Sequence, residues 1–250
     1  MITKLPTIYI GYDPKENTYV DVLKKSIEVN TKDTYNIVPL VQPSLRKAGL
    51  FWRGSEHNNQ GVEVDMFDGK PYSTQFSFTR FLVPFLNQQS GLALFIDSDM
   101  FVRSDITELF DTFNTKYALG CVKHDYWPTE TTKMDNKMQT VYTKKNWSSV
   151  LMWNCDHPSN KDLTIADVNV KSGNWLHNFK WLESDSEIQE FHQEWNWLDG
   201  HSSEKIIPKN VHFTTGGPLF PNWQPKRDID VVYAEEWKEF MNKHFVAFYE

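Results

Sequence analysis

Gly91-Leu92-Ala93-Leu94-Phe95-Ile96-Asp97-Ser98-Asp99 sets five consecutive apolar residues between a glycine and an acidic tripeptide. Such a run is short, unbroken and bounded by turn residues, so it reads as a strand buried on both faces rather than as one side of a helix. Its chain end is then a sheet edge, where open α/β sheets hold their ligands. On the N-terminal side, residues 77–86 carry Phe78, Phe81, Leu82 and Phe85 at helical spacing, with Pro84 weakening the end of the helix. On the C-terminal side, Ser104 is a plausible N-cap for a helix bearing Ile106, Leu109, Phe110 and Phe113, and Asp105 and Glu108 suit its positive end. Residues 117–122 and 150–153 read as further strands, which end in His124-Asp125 and Asn154. The chain opens with a strand at Thr7-Ile8-Tyr9-Ile10, a turn at Gly11-Tyr12-Asp13-Pro14, a helix over residues 16–30 and a second strand over 35–41. Residues 42–71 are polar and weakly periodic apart from Val62 and Val64, and are expected to form a loop-rich insertion. The alternation predicts an α/β fold with a mixed, mainly parallel sheet flanked by helices.

With 250 residues, 40% hydrophobic, the chain is long enough to bury a polar site without disulfides. Lys and Arg total 26 against 33 Asp and Glu, and the net charge of −7 excludes bulk electrostatic binding to nucleic acid. Cys121 and Cys155 fit neither a disulfide framework nor a CxxC site, which favours a reducing compartment such as the cytoplasm. No stretch resembles a signal peptide or a membrane span. With no repeat or clear linker, one domain is expected over residues 1–250, looser after about residue 155. The ten Trp, seventeen Phe and ten Tyr point first to an aromatic-rich core and second to carbohydrate stacking.

Asp97 and Asp99 leave the strand with side chains on the same side. Two carboxylates about 4 Å apart repel by roughly 4 kcal/mol at an effective dielectric of about 20, so a close pair calls for a metal, a shared proton or a cationic partner. Oxygen ligation favours magnesium, manganese or calcium. Asp228-Ile229-Asp230 has the same spacing, but it follows polar Gln224-Pro225-Lys226-Arg227 and lacks the core strand. His212 lies in Val211-His212-Phe213-Thr214-Thr215-Gly216-Gly217-Pro218, where an imidazole can add a third ligand and backbone N–H groups can meet phosphate. Arg80 is a candidate partner for Asp97 or for a phosphate.

Taken in order, Ile8-Tyr9-Ile10-Gly11-Tyr12-Asp13, Phe78-Thr79-Arg80-Phe81, Phe95-Ile96-Asp97-Ser98-Asp99 and Val211-His212-Phe213-Thr214 resemble the GT-A fold nucleotide-sugar glycosyltransferases, family 8 above all. Lys123-His124-Asp125-Tyr126, Lys145-Asn146-Trp147-Ser148-Ser149-Val150, Trp195-Asn196 and Thr215-Gly216-Gly217-Pro218 are similar to a bacterial and phage subgroup. The resemblance implies a Rossmann-like sheet, with a nucleotide-binding part over about residues 1–125 and an acceptor part over about 126–250. It implies donor contacts from Gly11, Tyr12, Asp13, Arg80, Asp97, Ser98, Gly216 and Gly217, and Mn2+ or Mg2+ on Asp97, Asp99 and His212. Lys123, His124, Asp125 and Asn154 are then the candidates for sugar or acceptor. Asp125, Glu183 and Asp185 are the candidates for the carboxylate at the reacting sugar. Family 8 enzymes follow the C-terminal histidine with a Gly-x-x-Lys-Pro-Trp type of turn, whereas this chain has Gly216-Gly217-Pro218-Leu219, with Lys226 or Arg227 as the nearest substitute cation. Transfer with retention is the implied outcome, with UDP-sugar the favoured donor.

Three rival functions are weighed. A phosphotransfer enzyme of the haloacid dehalogenase type also uses Asp-x-Asp, but after its first strand, and a sugar nucleotidyltransferase needs a glycine-rich loop that is missing after Ile10. A carbohydrate-binding module would use Trp147, Trp153, Trp175 and Trp181 as stacking platforms. Saccharide, lipid-linked glycan, protein and a hydroxylated DNA base remain open as acceptors, the last because Lys133, Lys137, Lys144 and Lys145 interleave with Tyr142 and Trp147.

Overall fold

In the computed structural model, residues 5–125 and 144–246 are described. The first half is built from β1 (Thr7–Gly11), α1 (Asn17–Asn30), β2 (Asn36–Leu40), α2 (Gln42–Lys47), β3 (Ser55–His57), β4 (Glu63–Asp65), α3 (Val83–Leu86), β5 (Leu92–Ile96), β6 (Met100–Val102) and α4 (Thr107–Thr112). The second half contributes β7 (Leu119–Val122), β8 (Val150–Asn154), α5 (Pro158–Asp162), α6 (Ile165–Val170), α7 (Gly173–His177), β9 (Ile188–Phe191), β10 (Trp197–Leu198), β11 (Asn210–His212) and α8 (Asp228–Met241). Six strands form the main sheet in the order β2-β1-β5-β8-β7-β9. Its pairings are parallel except for those of β8, which runs antiparallel to both β5 and β7. Five strands therefore point one way, giving the mixed, mainly parallel sheet expected.

The central strand is buried on both faces because its residues alternate between two cores. Ala93 and Phe95 pack with Tyr9, Phe81, Leu151 and Trp153, while Leu94 and Ile96 pack with Ile8, Ile10, Val150, Met152 and the α1 residues Val20, Leu23 and Ile27. A third core joins Tyr19, Phe213, Trp197 and Trp237 beneath α8. It underlies a second sheet, β10-β11-β6, in which β11 runs antiparallel to β6.

Three local expectations are corrected. Residues 77–86 do not make one helix: a 3-10 turn, Thr79–Leu82, gives way to α3, whose first turn holds Pro84, since proline lacks the N–H that a helix interior uses. Ser104 does not cap α4; Asp105 Oδ1 instead accepts from the Thr107 N–H at 3.0 Å. The 42–71 insertion is loop-rich as expected, with the short α2 and the β3–β4 hairpin within it. The aromatic stacking platforms are largely internal: Trp153 is fully buried and stacks on Trp181 at 5.9 Å, and Trp175 meets Trp181 at 6.0 Å. Among the described residues, no helix is long and apolar enough to cross a membrane.

Candidate active site

The strand directions decide which side chains meet. The C-terminal ends of β1, β5, β7 and β9 share one edge with the start of β8, so Gly11, Asp97, Lys123 and Ser149 converge there. The Asp97 N–H donates to the Ser149 carbonyl at 2.9 Å, which extends the β5–β8 ladder by one bond. After Ser98 the chain enters β6, where Met100 lies opposite His212 of β11, and the Phe213 N–H donates to the Asp99 carbonyl at 2.8 Å. This pairing carries His212 to Asp99 across more than a hundred residues of sequence. Each of Asp97, Asp99 and His212 offers an atom within 4.8 Å of the other two, and His212 Nε2 is 3.3 Å from Asp99 Oδ1.

His212 is aimed by Asn196, whose Oδ1 lies 2.9 Å from Nδ1. A carboxamide oxygen only accepts, so Nδ1 carries the proton and Nε2 faces Asp99. Burial disfavours the imidazolium, but the Asp99 carboxylate, helped by Asp97 and Asp199, raises His212 above its ordinary value. Burial likewise raises Asp97, against the downward pull of the Arg80 guanidinium. A divalent cation answers the same electrostatic demand as that imidazolium proton. Two carboxylates and an imidazole are a donor set that suits a divalent cation, and their ligand atoms lie close enough to one another to serve the same ion.

Arg80 is almost fully buried, with Nη1 2.8 Å from Asp97 Oδ1 and 2.8 Å from the Ser148 carbonyl. Its guanidinium carbon lies 4.9 Å from the Phe95 ring centroid and 5.3 Å from that of Phe76. Phe76, Arg80, Asp97 and Ser148 border a cleft holding about 820 Å³ of space, part of it open to solvent, which Lys144, Lys145 and His177 also line. Arg80 beside Asp97, with Lys145 in the same lining, suits an anionic ligand.

The remaining candidates are placed as follows. Gly11 ends β1 where a Cβ would come within 2.5 Å of the Phe76 ring, so glycine lets this cleft aromatic close on the strand. Tyr12 Oη donates to Asn17 Oδ1 at 3.3 Å, and Asp13 accepts the N–H groups of Lys15 and Gln75. Ser98 donates to Glu16. Gly217 has φ +70°, and a Cβ there would meet Tyr19 Oη at 2.3 Å; this oxygen donates to the Gly216 carbonyl at 2.9 Å. The glycine pair thus lets the turn fold over Tyr19. Lys123 Nζ lies 5.6 Å from the Trp147 ring centroid. His124 is buried, and burial with the His212 and His201 charges pushes it down to about 4.

Asn154 is displaced from the site altogether. Because β8 is antiparallel, its last residue pairs with Leu92 at the opposite sheet edge, where Asn154 Nδ2 donates to the Thr115 carbonyl at 2.8 Å. Asp125 and Glu183 are exposed and do not line the cleft, and Asp185 pairs with Lys144 from outside it. Arg227 is committed to Asp230, 2.7 Å away, at the start of α8, which explains the second Asp-x-Asp tripeptide as a helix terminus. Lys226 packs on Gly200. Lys133, Lys137 and Tyr142, with Tyr126, lie outside the described residues.

Sequence reasoning missed Asp199, which follows a strand, Trp197–Leu198, too short to be read from its pattern. Asp199 is buried and accepts from the Thr215 N–H at 3.1 Å and from the Thr215 hydroxyl, yet burial pushes its carboxyl up to about 6. An acid raised from about 3.9 in the unfolded chain keeps its proton longer in the native state, so its contribution to stability declines as pH climbs from about 4 to 6. Over that window Asp199 is expected to cost about 2–3 kcal/mol, at about 1.4 kcal/mol per pKa unit. Asp199→Asn should therefore gain about 2 kcal/mol on the wild type between pH 4.5 and 7 in denaturant unfolding. Parallel stability profiles for the two proteins would reject this assignment.

Comparison with known proteins agrees with this fold. Protein CDI of Arabidopsis thaliana is 43% identical over 242 residues, covering 95% of this chain and 86% of that protein. That relative is a plant protein and does not support the narrower bacterial and phage likeness. The galactosyltransferase LgtC, solved with donor and acceptor sugar analogs, superposes with a TM-score of 0.55 at 18% identity over 95% of both chains. The bifunctional glycosyltransferase WbbM superposes with a TM-score of 0.57 at 15% identity over 96% of this chain, which spans half the length of WbbM. At such identities the two solved structures speak for the fold alone, which is that of the GT-A glycosyltransferases. The sequence profile described as Glycosyl transferase family 8 matches residues 16–221, taking in β5, the acidic pair and His212, so the chain belongs to that family and is a glycosyltransferase.

Proposed function

We propose that this chain moves a sugar from a nucleoside diphosphate sugar, a UDP-sugar by preference, to a hydroxyl acceptor, with Mn2+ or Mg2+ held by Asp97, Asp99 and His212. The observation that carries this reading is the convergence of those three ligand atoms at the strand edge of a family 8 fold. When bound, the cation would offset the charge that grows on the departing diphosphate. Arg80 orients Asp97 and adds a buried positive charge on the same side. Lys145 adds positive charge to the cleft lining, which would attract the donor. Gly11, Tyr12 and Asp13 form the edge where the base and ribose would lie.

Transfer with retention is part of the proposal. Among the described residues lining the cleft, the only carboxylates are Asp97 and Asp99, both assigned to the cation, so no separate carboxylate is offered as a nucleophile. Cys121 and Cys155 are buried thiols not joined in a disulfide, which fits work in the reducing cytoplasm.

Release of nucleoside diphosphate from a panel of UDP-, GDP- and other nucleotide sugars, with manganese or magnesium and with chelator, tests the reading. The expected result is release from one donor, abolished by chelation, and a product with the anomeric configuration of the donor by NMR. Release that ignores chelation would overturn the metal assignment, and no nucleotide-sugar binding at all would overturn the donor.

A further inference from the structure

Residues 146–149, just before β8, form a junction that the transfer chemistry above leaves unassigned. Their carbonyls reach both halves of the ligand set. The Ser149 carbonyl accepts the Asp97 N–H at 2.9 Å, and the Ser148 carbonyl accepts from Arg80 Nη1, the partner of Asp97, at 2.8 Å. The Asn146 carbonyl accepts from Asn196 Nδ2 at 3.1 Å, and Asn196 Oδ1 takes the Nδ1 proton of His212 at 2.9 Å. One short segment is thereby tied both to the acidic strand end and to the histidine delivered by β11. Asn196 is fully buried with both ends of its amide engaged, so water cannot replace the Asn146 carbonyl as its acceptor.

The direction of that carbonyl is set by the backbone of Asn146. With φ 62° and ψ 3° it is left-handed, and it turns the chain into the 3-10 turn Trp147–Ser149. Among the described residues, four other than glycine have positive φ, and Asn146 alone of these lines the cleft. Most side chains avoid this conformation because Cβ crowds the following carbonyl, whereas asparagine tolerates it. The Asn146 side chain does not itself pin the turn, since its Nδ2 is buried with no hydrogen-bond partner among the described residues. A sparsely populated conformation held beside the site, with its carbonyl tied to a ligand's partner, is the kind of outlier from which function is argued.

We propose that Asn146 is a positioning residue for the metal centre: its left-handed backbone holds the carbonyl that fixes Asn196, and Asn196 in turn holds His212 Nε2 toward the carboxylate pair. This rests on the metal reading given above. Turned out of that conformation, the carbonyl leaves Asn196 Nδ2 without an acceptor in a site closed to water. The amide must then swing away and release the His212 ring. The Asp97 end is spared, because the Ser149 bond continues the β5–β8 ladder and Arg80 Nε is also held by the Phe76 carbonyl at 3.3 Å.

The test titrates the full chain with Mn2+ alone, by electron paramagnetic resonance, and reads the nitrogen coupling of a metal-bound histidine by electron spin echo modulation. Variants at Asn146 should rank by their tolerance of a left-handed backbone. Asn146→Gly is expected to hold Mn2+ within about twofold of the wild type, Asn146→Ala about fivefold more weakly and Asn146→Val about tenfold or more. In Asn146→Val the histidine coupling should also be lost while the ion stays on the carboxylates, a change that a general loss of stability would not produce in folded protein. Asn196→Leu should lose the same coupling, and adding Asn146→Val to it should weaken Mn2+ by no more than about twofold further. Circular dichroism checks folding, and the Gly–Ala comparison carries the ranking where the valine variant does not fold. Wild-type affinity and coupling in Asn146→Val, a loss in Asn146→Gly as large as in Asn146→Ala, or additive losses in the double variant would overturn the assignment. A wild type that binds no Mn2+ would overturn the metal reading itself, and this inference with it, before any variant is compared.

Discussion

Asp99→Ala is expected to lower metal-dependent cleavage of the donor by about a thousandfold or more while the protein stays folded. Loss of one of two anionic ligands weakens the hold on the cation, whose offset of leaving-group charge is worth several kcal/mol, and about 1.4 kcal/mol corresponds to each factor of ten. Asp99 is suited to this test because its side chain is 17% exposed and borders the cleft instead of filling a core. Its removal also relieves the repulsion that helps to raise Asp97, so the change has a stabilising as well as a destabilising part. In the variant, His212 loses the carboxylate that raised its pKa, and its buried imidazole should become neutral. Nucleoside diphosphate release and Mn2+ affinity by electron paramagnetic resonance measure the two consequences, with circular dichroism to check folding. Retention of wild-type release within tenfold, at manganese levels that saturate the wild type, would remove Asp99 from the site.

How far the site was legible in the sequence follows from how each residue reaches it. Asp97 and Asp99 were readable because one local pattern, an apolar strand ending in acid, fixes both burial and direction. His212 was readable as a candidate, but its meeting with Asp99 depends on the β6–β11 register, which no local periodicity encodes. Asn154 shows the converse. The sequence marks a strand ending in a polar residue, yet the strand enters the sheet antiparallel and carries that residue to the wrong edge, while its less conspicuous start delivers Ser148 and Ser149 to the cleft. Asn196 and His177 act through partners distant in sequence, Nδ1 of His212 and Oγ of Ser148, and neither lies in a pattern that predicts a partner. What holds the loop-rich 42–71 insertion in place was not readable for a related reason: its order comes from a charged clamp to a later helix, and periodicity reports only apolar faces.

Breaking that clamp should produce the largest loss of stability, with Asp65→Ala costing about 3–5 kcal/mol, the range for leaving one member of a buried pair uncompensated. Arg53 is fully buried. Its guanidinium pairs with Asp65 at the end of β4, and Nη1 donates to the carbonyls of Val168 at 3.2 Å and Lys171 at 2.7 Å, at the C-terminal end of α6. The guanidinium carbon also lies 3.9 Å from the Phe78 ring centroid and 5.2 Å from that of Phe67. Without Asp65 the cation keeps its carbonyls but has no counter-charge in a site closed to water, whereas replacing both residues by apolar ones of similar size removes the charge along with its partner. Asp65→Leu combined with Arg53→Met should therefore recover most of the loss, although the α6 carbonyls then go without a donor and recovery should stop short of the wild type. Urea unfolding of the single and double variants reads this as a coupling of 2 kcal/mol or more. Because Phe78 is a wall of the cleft, donor affinity should fall with stability in Asp65→Ala and return with it in the double variant. The reverse holds for Asp99→Ala, where activity is lost and the fold is kept. A cost below about 1 kcal/mol for Asp65→Ala would mean that the hairpin yields and lets water reach Arg53, and the clamp would then contribute no more than a surface ion pair.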